Sequence, residues 1–359
     1  MRLFLSGLLI TCFFATGALA QPLAAFVNIQ NELMVWDRGM IRKVDFMAPT
    51  SFKIGRTAIP YLDNSRSFKI YYNGSVKDVN AGFTNLYFPT DNLVGFLNQK
   101  SLNVFDKGET KNLAGVCDQY FIADSVILFL DSYKGEYRVY YNGKITTVES
   151  YIPDSVLSHV KVSDNIVAFD NFANQFRIFF HGSLLAQEDF QVRSFEAGRN
   201  TVAYVDNDRK FKIFHNGQTF IIDDFAPSTY KSGTDMVAFV SSDGYFKVFY
   251  GDSLHTIGYM NPQYIVADNI MAYKDPAGML KVFYKGSVTE MESYYPTGIV
   301  AQYNSLAYVN SGGTLRLFTE GEAYDVTNAE LSHWSLSYDV ITYQIGEAIF
   351  KVFYKGQEY

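Results

Sequence analysis

Short runs of strand-forming residues recur along the chain from about residue 21 to its end, separated by turns rich in Gly, Asn, Asp and Ser. In the stretch around Tyr273, segments 263–267, 270–274, 280–284 and 287–291 read as four strands, labelled a to d. Strands b and c are dense in Val, Ile, Phe and Tyr, which favours β structure over helix. In Phe246-Lys-Val-Phe-Tyr250, residues 246, 248 and 250 face one way and 247 and 249 the other, yet four of the five are apolar. A strand with that pattern is covered on both faces.

The pattern repeats. Phe68-Lys-Ile-Tyr-Tyr-Asn-Gly74, Tyr137-Arg-Val-Tyr-Tyr-Asn-Gly143, Phe176-Arg-Ile-Phe-Phe-His-Gly182, Phe211-Lys-Ile-Phe-His-Asn-Gly217, Leu280-Lys-Val-Phe-Tyr-Lys-Gly286 and Phe350-Lys-Val-Phe-Tyr-Lys-Gly356 are copies of one unit. Weaker copies end at Gly39, Gly108, Gly251 and Gly321. A second register agrees with the first: an aromatic residue falls in strand b at Phe26, Tyr61, Phe96, Phe129, Phe169, Tyr204, Phe239, Tyr273, Tyr308 and Tyr343. Both registers count ten units of roughly 35 residues, a period typical of stacked supersecondary repeats. The longer interval from Phe129 to Phe169 reads as a loop insertion.

Asn-Gly and Lys-Gly pairs between c and d suit the positive φ of tight hairpin turns, so c and d are antiparallel. The link from d to the next a carries Pro49, Pro153, Pro227, Pro262 and Pro296, and proline suits a crossover better than a ladder position. Small antiparallel sheets sandwiched between like neighbours are what a β-propeller supplies. The expected fold is therefore all-β, a propeller of about ten short four-stranded repeats. A parallel solenoid has no use for hairpins inside the repeat. The first unit begins at strand b and the last ends too early for a full strand d, so one ring closed by packing alone, two five-bladed rings and an open arc all remain open.

A strand such as Val237-Ala-Phe-Val240, then a Ser-Asp-Gly turn, then Phe246-Lys-Val-Phe249 resembles the repeats of TolB-type, WD40-like propellers. The resemblance covers all ten units in outline. It implies the architecture and no ligand, because propellers host unrelated functions.

Residues 1–20 open with Arg2, run apolar from Leu3 to Phe14 and reach Ala18-Leu19-Ala20, the pattern of a secretory signal peptide. The expectation is export to the periplasm or beyond, with 21–359 as the repeat domain. No later apolar run approaches the length of a membrane-spanning helix. That leaves Cys117 as the one cysteine outside the leader, so no internal disulfide forms. The net charge of −7 argues against nucleic acid as a partner. The 31 Phe and 27 Tyr are explained by the repeats.

Chemistry-bearing motifs are missing. The five histidines are scattered, with no metal-ligand spacing, no phosphate loop and no nucleophile elbow, so neither metal nor cofactor is expected. Cys117 reads as a small residue near a strand end rather than a nucleophile. A basic residue stands second in strand c in eight units, at Lys69, Arg138, Arg177, Lys212, Lys247, Lys281, Arg316 and Lys351. The acids Asp63, Asp131, Asp170, Asp206 and Asp275, at the end of strand b, are within cross-strand reach. A feature present in nearly every unit maintains the unit, and function is sought where units differ.

Units differ most at the d-to-a crossover. It carries Phe46, Phe83, Tyr151, Phe225, Tyr259, Tyr294 and Tyr295, and Trp334 follows in the last unit. Tyr259, Tyr294, Tyr295 and Trp334 are the candidate ligand-binding residues, suited to stacking on a sugar or holding a protein. The competing reading has these rings plugging the seams between units. The functional expectation is a non-enzymatic binding or scaffold protein for a protein or glycan. The alternative is a glycan hydrolase or lyase with acids drawn from several units, which two or three carboxylates converging at the axis would favour.

Overall fold

The computed structural model describes residues 21–79, 83–150, 157 and 159–359. The expected leader, Tyr151 and Pro153 lie outside the described residues.

Ten antiparallel sheets follow one another along the chain, and no helix occurs among the described residues. Blade 1 spans 24–45 and contains strands b, c and d; blades 2 to 10 (51–78, 84–114, 120–150, 160–188, 194–223, 229–259, 264–292, 300–327 and 331–358) each run a-b-c-d. Blade 8 carries the four expected strands at Tyr264–Val266, Ile270–Lys274, Leu280–Tyr284 and Ser287–Glu292.

The apolar faces determine the assembly. Strand b is buried along its whole length in Val126–Asp131 and Met236–Val240, because a neighbouring blade covers each face. The core is correspondingly divided into ten clusters, one per seam. Ile166, Phe176, Val202 and Phe214, for example, join blades 5 and 6. The tenth seam settles the closure. Ala24 and Trp36 of blade 1 pack with Val340, Val352 and Tyr354 of blade 10. Phe26 stacks on Phe350 with centroids 5.0 Å apart, and Trp36 lies against Tyr354 and Tyr359 at 5.1 and 5.4 Å. The chain thus forms one ring of ten blades closed by side-chain packing. It is neither two five-bladed rings nor an open arc.

The c–d turns take the positive φ their sequence predicts, as at Asn73 (47°) and Gly74 (81°). In most blades strand d bulges by one residue opposite the step into the recurrent basic residue, as at Gln187 facing Phe176-Arg177 or Ile222 facing Phe211-Lys212, so that residue sits at a local twist. That residue is occupied within its own blade and, at Lys69, Lys212 and Arg316, also by Asp45, Glu188 and Glu292 of the preceding one. Lys69 meets Asp63 at 2.8 Å, Arg138 meets Asp131 at 3.3 Å, Lys212 meets Asp206 at 2.8 Å and Lys281 meets Asp275 at 2.9 Å. Arg177 instead donates to the carbonyls of Phe176 and Glu188, while Asp170 pairs with His159. The basic belt is structural. Cys117 is buried, which pushes its thiol up to about 12, and donates to the Gln119 carbonyl.

Strands a line the axis and pack on one another in blades 5 to 8. Glycine permits this: a Cβ at Gly198 would lie 2.1 Å from the Gly233 carbonyl oxygen. Gly198→Ala is therefore expected to cost about 1–3 kcal/mol through overpacking, read as a lowered urea midpoint. An unchanged midpoint would contradict the close approach.

Candidate functional site

The a–b and c–d turns share one face of the ring, and the b–c turns and d-to-a crossovers share the other. On the first face, the residue two before strand b is, from blade 2 to blade 10, Arg56, Asp91, Asp124, Asp164, Arg199, Thr234, Asp268, Tyr303 and Tyr338. These side chains come from widely separated parts of the sequence and meet at the axis. Arg199 of blade 6 lies 2.8 Å from Asp164, 3.6 Å from Asp124 and 3.7 Å from Asp91. The Arg56 guanidinium sits 4.6 Å over the Tyr303 ring, which meets Tyr338 edge-on.

The next residue of each turn forms a polar ladder around this cluster. Asn92 donates to Ser125, Asn165 to Asn200, Asn200 to Asp235, and Asn269 to Asn304, over 2.6–3.2 Å. An amide, which both donates and accepts, suits a ring in which every blade needs one partner on each side.

Charge in the cluster is unbalanced, with Asp91, Asp124, Asp164 and Asp268 facing Arg56 and Arg199. Burial, and then Asp124, push the Asp164 carboxyl up to about 8. Burial, and then neighbouring acids, raise Asp91 and Asp268 to about 6, and burial raises Asp124. The folded ring thus keeps protons that the unfolded chain releases near the ordinary carboxyl value of 3.8. Stability should fall as pH rises from about 4 towards 8, by about 1.4 kcal/mol per pH unit for each proton retained. Asp164→Asn should flatten that decline, measured as urea midpoints across the range. A stability rising with pH through the same window would contradict the assignment.

Outside this cluster on the same face, blades 1 to 4 border a groove of about 970 Å³. Its outer wall is the end of strand c and the turn that follows: Asp37-Arg38, Tyr72-Asn73, Asp106-Lys107 and Tyr141-Asn142. Its inner wall includes Thr57, Asn92 and Ser125. Asp37 and Asp106 are buried and accept the hydroxyls of Tyr71 and Tyr140 at 2.7 and 2.6 Å. Arg38 and Lys107 donate to Asn73 and Asn142.

The opposite face carries the exposed rings. Phe46, Phe83, Phe190, Phe225 and Tyr259 are each more than half exposed. The four residues singled out from the sequence are not gathered into one site. Tyr259 is exposed at the end of strand d in blade 7. The Tyr294 hydroxyl accepts the Ser311 backbone N–H. Tyr295 packs into the seam of blades 8 and 9, and Trp334, on strand a of blade 10, into that of blades 9 and 10. A second cleft of about 570 Å³ opens at the crossover end of strands a in blades 6 to 8, where Lys231 lies over Tyr264. No group of three or more His, Cys, Asp or Glu side chains placed to hold a metal ion occurs among the described residues, and no helix there is long and apolar enough to cross a membrane.

A family model described as a 10-bladed beta propeller domain matches residues 17–359. The chain belongs to this family. No curated protein matches this propeller. Among solved structures it is similar to the computationally designed Ika8 protein (16% identity over 76% of this chain and 96% of that one, TM-score 0.34). It is also similar to the WD40 ectodomain of the receptor kinase ACR4 from Arabidopsis thaliana (9%, 68% and 98%, 0.36) and to BamB from Moraxella catarrhalis (11%, 76% and 95%, 0.33). Likeness at this level carries no argument about what the ten-bladed propeller binds.

Proposed function

We propose that this propeller is a non-enzymatic binding or scaffold protein, exported from the cytoplasm, that takes a protein or glycan ligand in the groove beside the a–b and c–d turns of blades 1 to 4. The observation that carries the reading is the groove itself. It is a concave space of about 970 Å³, walled by amides, hydroxyls, tyrosines and the Asp37-Arg38 and Asp106-Lys107 steps, at the upper end of the range for small-ligand sites. Asn92→Trp fills it from the inner wall. That variant should lose retention of ligand from the host's envelope fraction, whereas Phe225→Ala on the opposite face should keep it. The reverse outcome would overturn the reading.

One observation favours a second reading, a glycan hydrolase or lyase. Asp91, Asp124 and Asp164 converge from three blades, and Asp91 and Asp164 are raised towards the range of a general acid. Against it, all three acids lie within ion-pair reach of Arg199, and Asp91 and Asp164 are buried. Turnover of a bound glycan by the wild type, abolished in Asp164→Asn with binding retained, would establish the enzyme. Stable binding without turnover supports the binding protein.

A further inference from the structure

The groove is built twice over. Blades 1 and 3 end strand c with Asp and follow it with a basic residue, as Asp37-Arg38 and Asp106-Lys107. Blades 2 and 4 end it with Tyr and follow it with Asn, as Tyr72-Asn73 and Tyr141-Asn142. The hydrogen bonds repeat with the residues: the Asp of the odd blade accepts from a tyrosine of the even one, and the base of the odd blade donates to the asparagine of the even one. Blade 5 breaks the series with Phe180-His181, and the groove ends before it.

Each half of the groove holds one acid and one base, each hydrogen-bonded to a neighbouring side chain, beside its neutral groups. Asp37 is ion-paired with Arg38, Asp106 accepts the Tyr140 hydroxyl, and Arg38 and Lys107 donate to asparagine carbonyls, so two acids and two bases leave the wall with no net charge to attract an anionic or cationic chain. What is left is the same in each half: a tyrosine ring with its hydroxyl, and an asparagine whose amide nitrogen has no protein acceptor among the described residues. Aromatic faces take the C–H face of a sugar ring, and an amide pairs its donors and its carbonyl with vicinal hydroxyls. Asn92 and Ser125 supply further hydroxyl partners on the inner wall.

We infer that the groove binds a neutral oligosaccharide through two equivalent subsites, one formed by blades 1 and 2 and the other by blades 3 and 4, each holding one repeat of a regular glycan. This deepens the binding reading above and rests on it.

The purified full chain is tested against neutral tetraoses of the cello-, xylo-, manno-, malto- and chito- series, with tetragalacturonate and a heparin tetrasaccharide as charged comparisons, followed by calorimetry on the tightest binder and its shorter homologues. The expected result is binding within the neutral set, tightening from monosaccharide to tetrasaccharide. Asn92→Ala should weaken it about tenfold, the loss of one amide contact. Tyr72→Ala with Tyr141→Ala should weaken it about a hundredfold. Those two rings also pack on Phe105 and Phe179, so the Asn92→Ala arm, with an unchanged melting curve, decides if the double variant unfolds. Binding of the charged sugars alone, of no sugar at all, or of a neutral sugar indifferent to Asn92→Ala would each overturn the inference. If no sugar binds but Asn92→Trp still blocks capture of host material, the groove remains the ligand site and only its chemistry is wrong. If Asn92→Trp leaves that capture intact, the underlying reading fails with it.

Discussion

Arg199→Met should cost about 3–5 kcal/mol at pH 8, because it removes the cation while leaving Asp91, Asp124 and Asp164 packed together at the axis. The loss should shrink at pH 5, where those raised carboxyls take up protons and no longer need the guanidinium. Urea unfolding of wild type and variant at both pH values measures the difference. Equal losses at the two pH values would mean that Arg199 acts by packing alone. The effect should be large because Arg199 joins its own blade to three others, so the charge it supplies holds four blades in register at the axis.

A second large effect is expected at the seam that closes the ring. Trp36 is fully buried between blades 1 and 10 and touches the rings of both Tyr354 and Tyr359. Trp36→Ala leaves a cavity there and should cost about 3–5 kcal/mol. Blades 1 and 10 are not consecutive in the chain and, like every pair of blades, share no backbone ladder, so the damage should be local first. Native-state hydrogen exchange should show strands Ala24–Val27 and Val340–Ile345 losing protection ahead of the remaining blades. Uniform loss around the ring would show that this seam is no weaker than the others.

The blades were legible in the sequence because two independent marks are imposed by local physics. The aromatic residue of strand b, such as Tyr61, Phe129 or Phe169, must fill a seam. The glycine after strand c, such as Gly74 or Gly143, must adopt a positive φ. Both recur wherever a blade is made, whatever the ring does as a whole. Closure left no such mark. Trp36 occupies the strand c position that holds Tyr71, Phe105 or Phe179 in other blades, so nothing in its pattern shows that it faces the last blade.

The axial cluster was missed for a related reason. Asp91-Asn92, Asp164-Asn165 and Asp268-Asn269 each read as ordinary turn chemistry before a strand. Their recurrence at one fixed offset from strand b was the available signal, yet their meeting depends on the ring bringing distant blades to a common axis. The crossover aromatics divide between the two readings offered for them. Tyr295 plugs a seam, while Phe46, Phe83, Phe225 and Tyr259 stand in solvent. The alternation of Asp with Tyr at the ends of strand c in blades 1 to 4 was also visible in the chain, but only the groove gives it a use.

The most direct test of the account is amide hydrogen exchange of the full chain with and without the material it retains from its host's envelope fraction. New protection is expected at the turns around Arg38, Asn73, Lys107 and Asn142 and at Asn92, with the crossover face unchanged. Protection confined to the crossovers around Phe190, Phe225 and Tyr259 would place the ligand on the opposite face and contradict it.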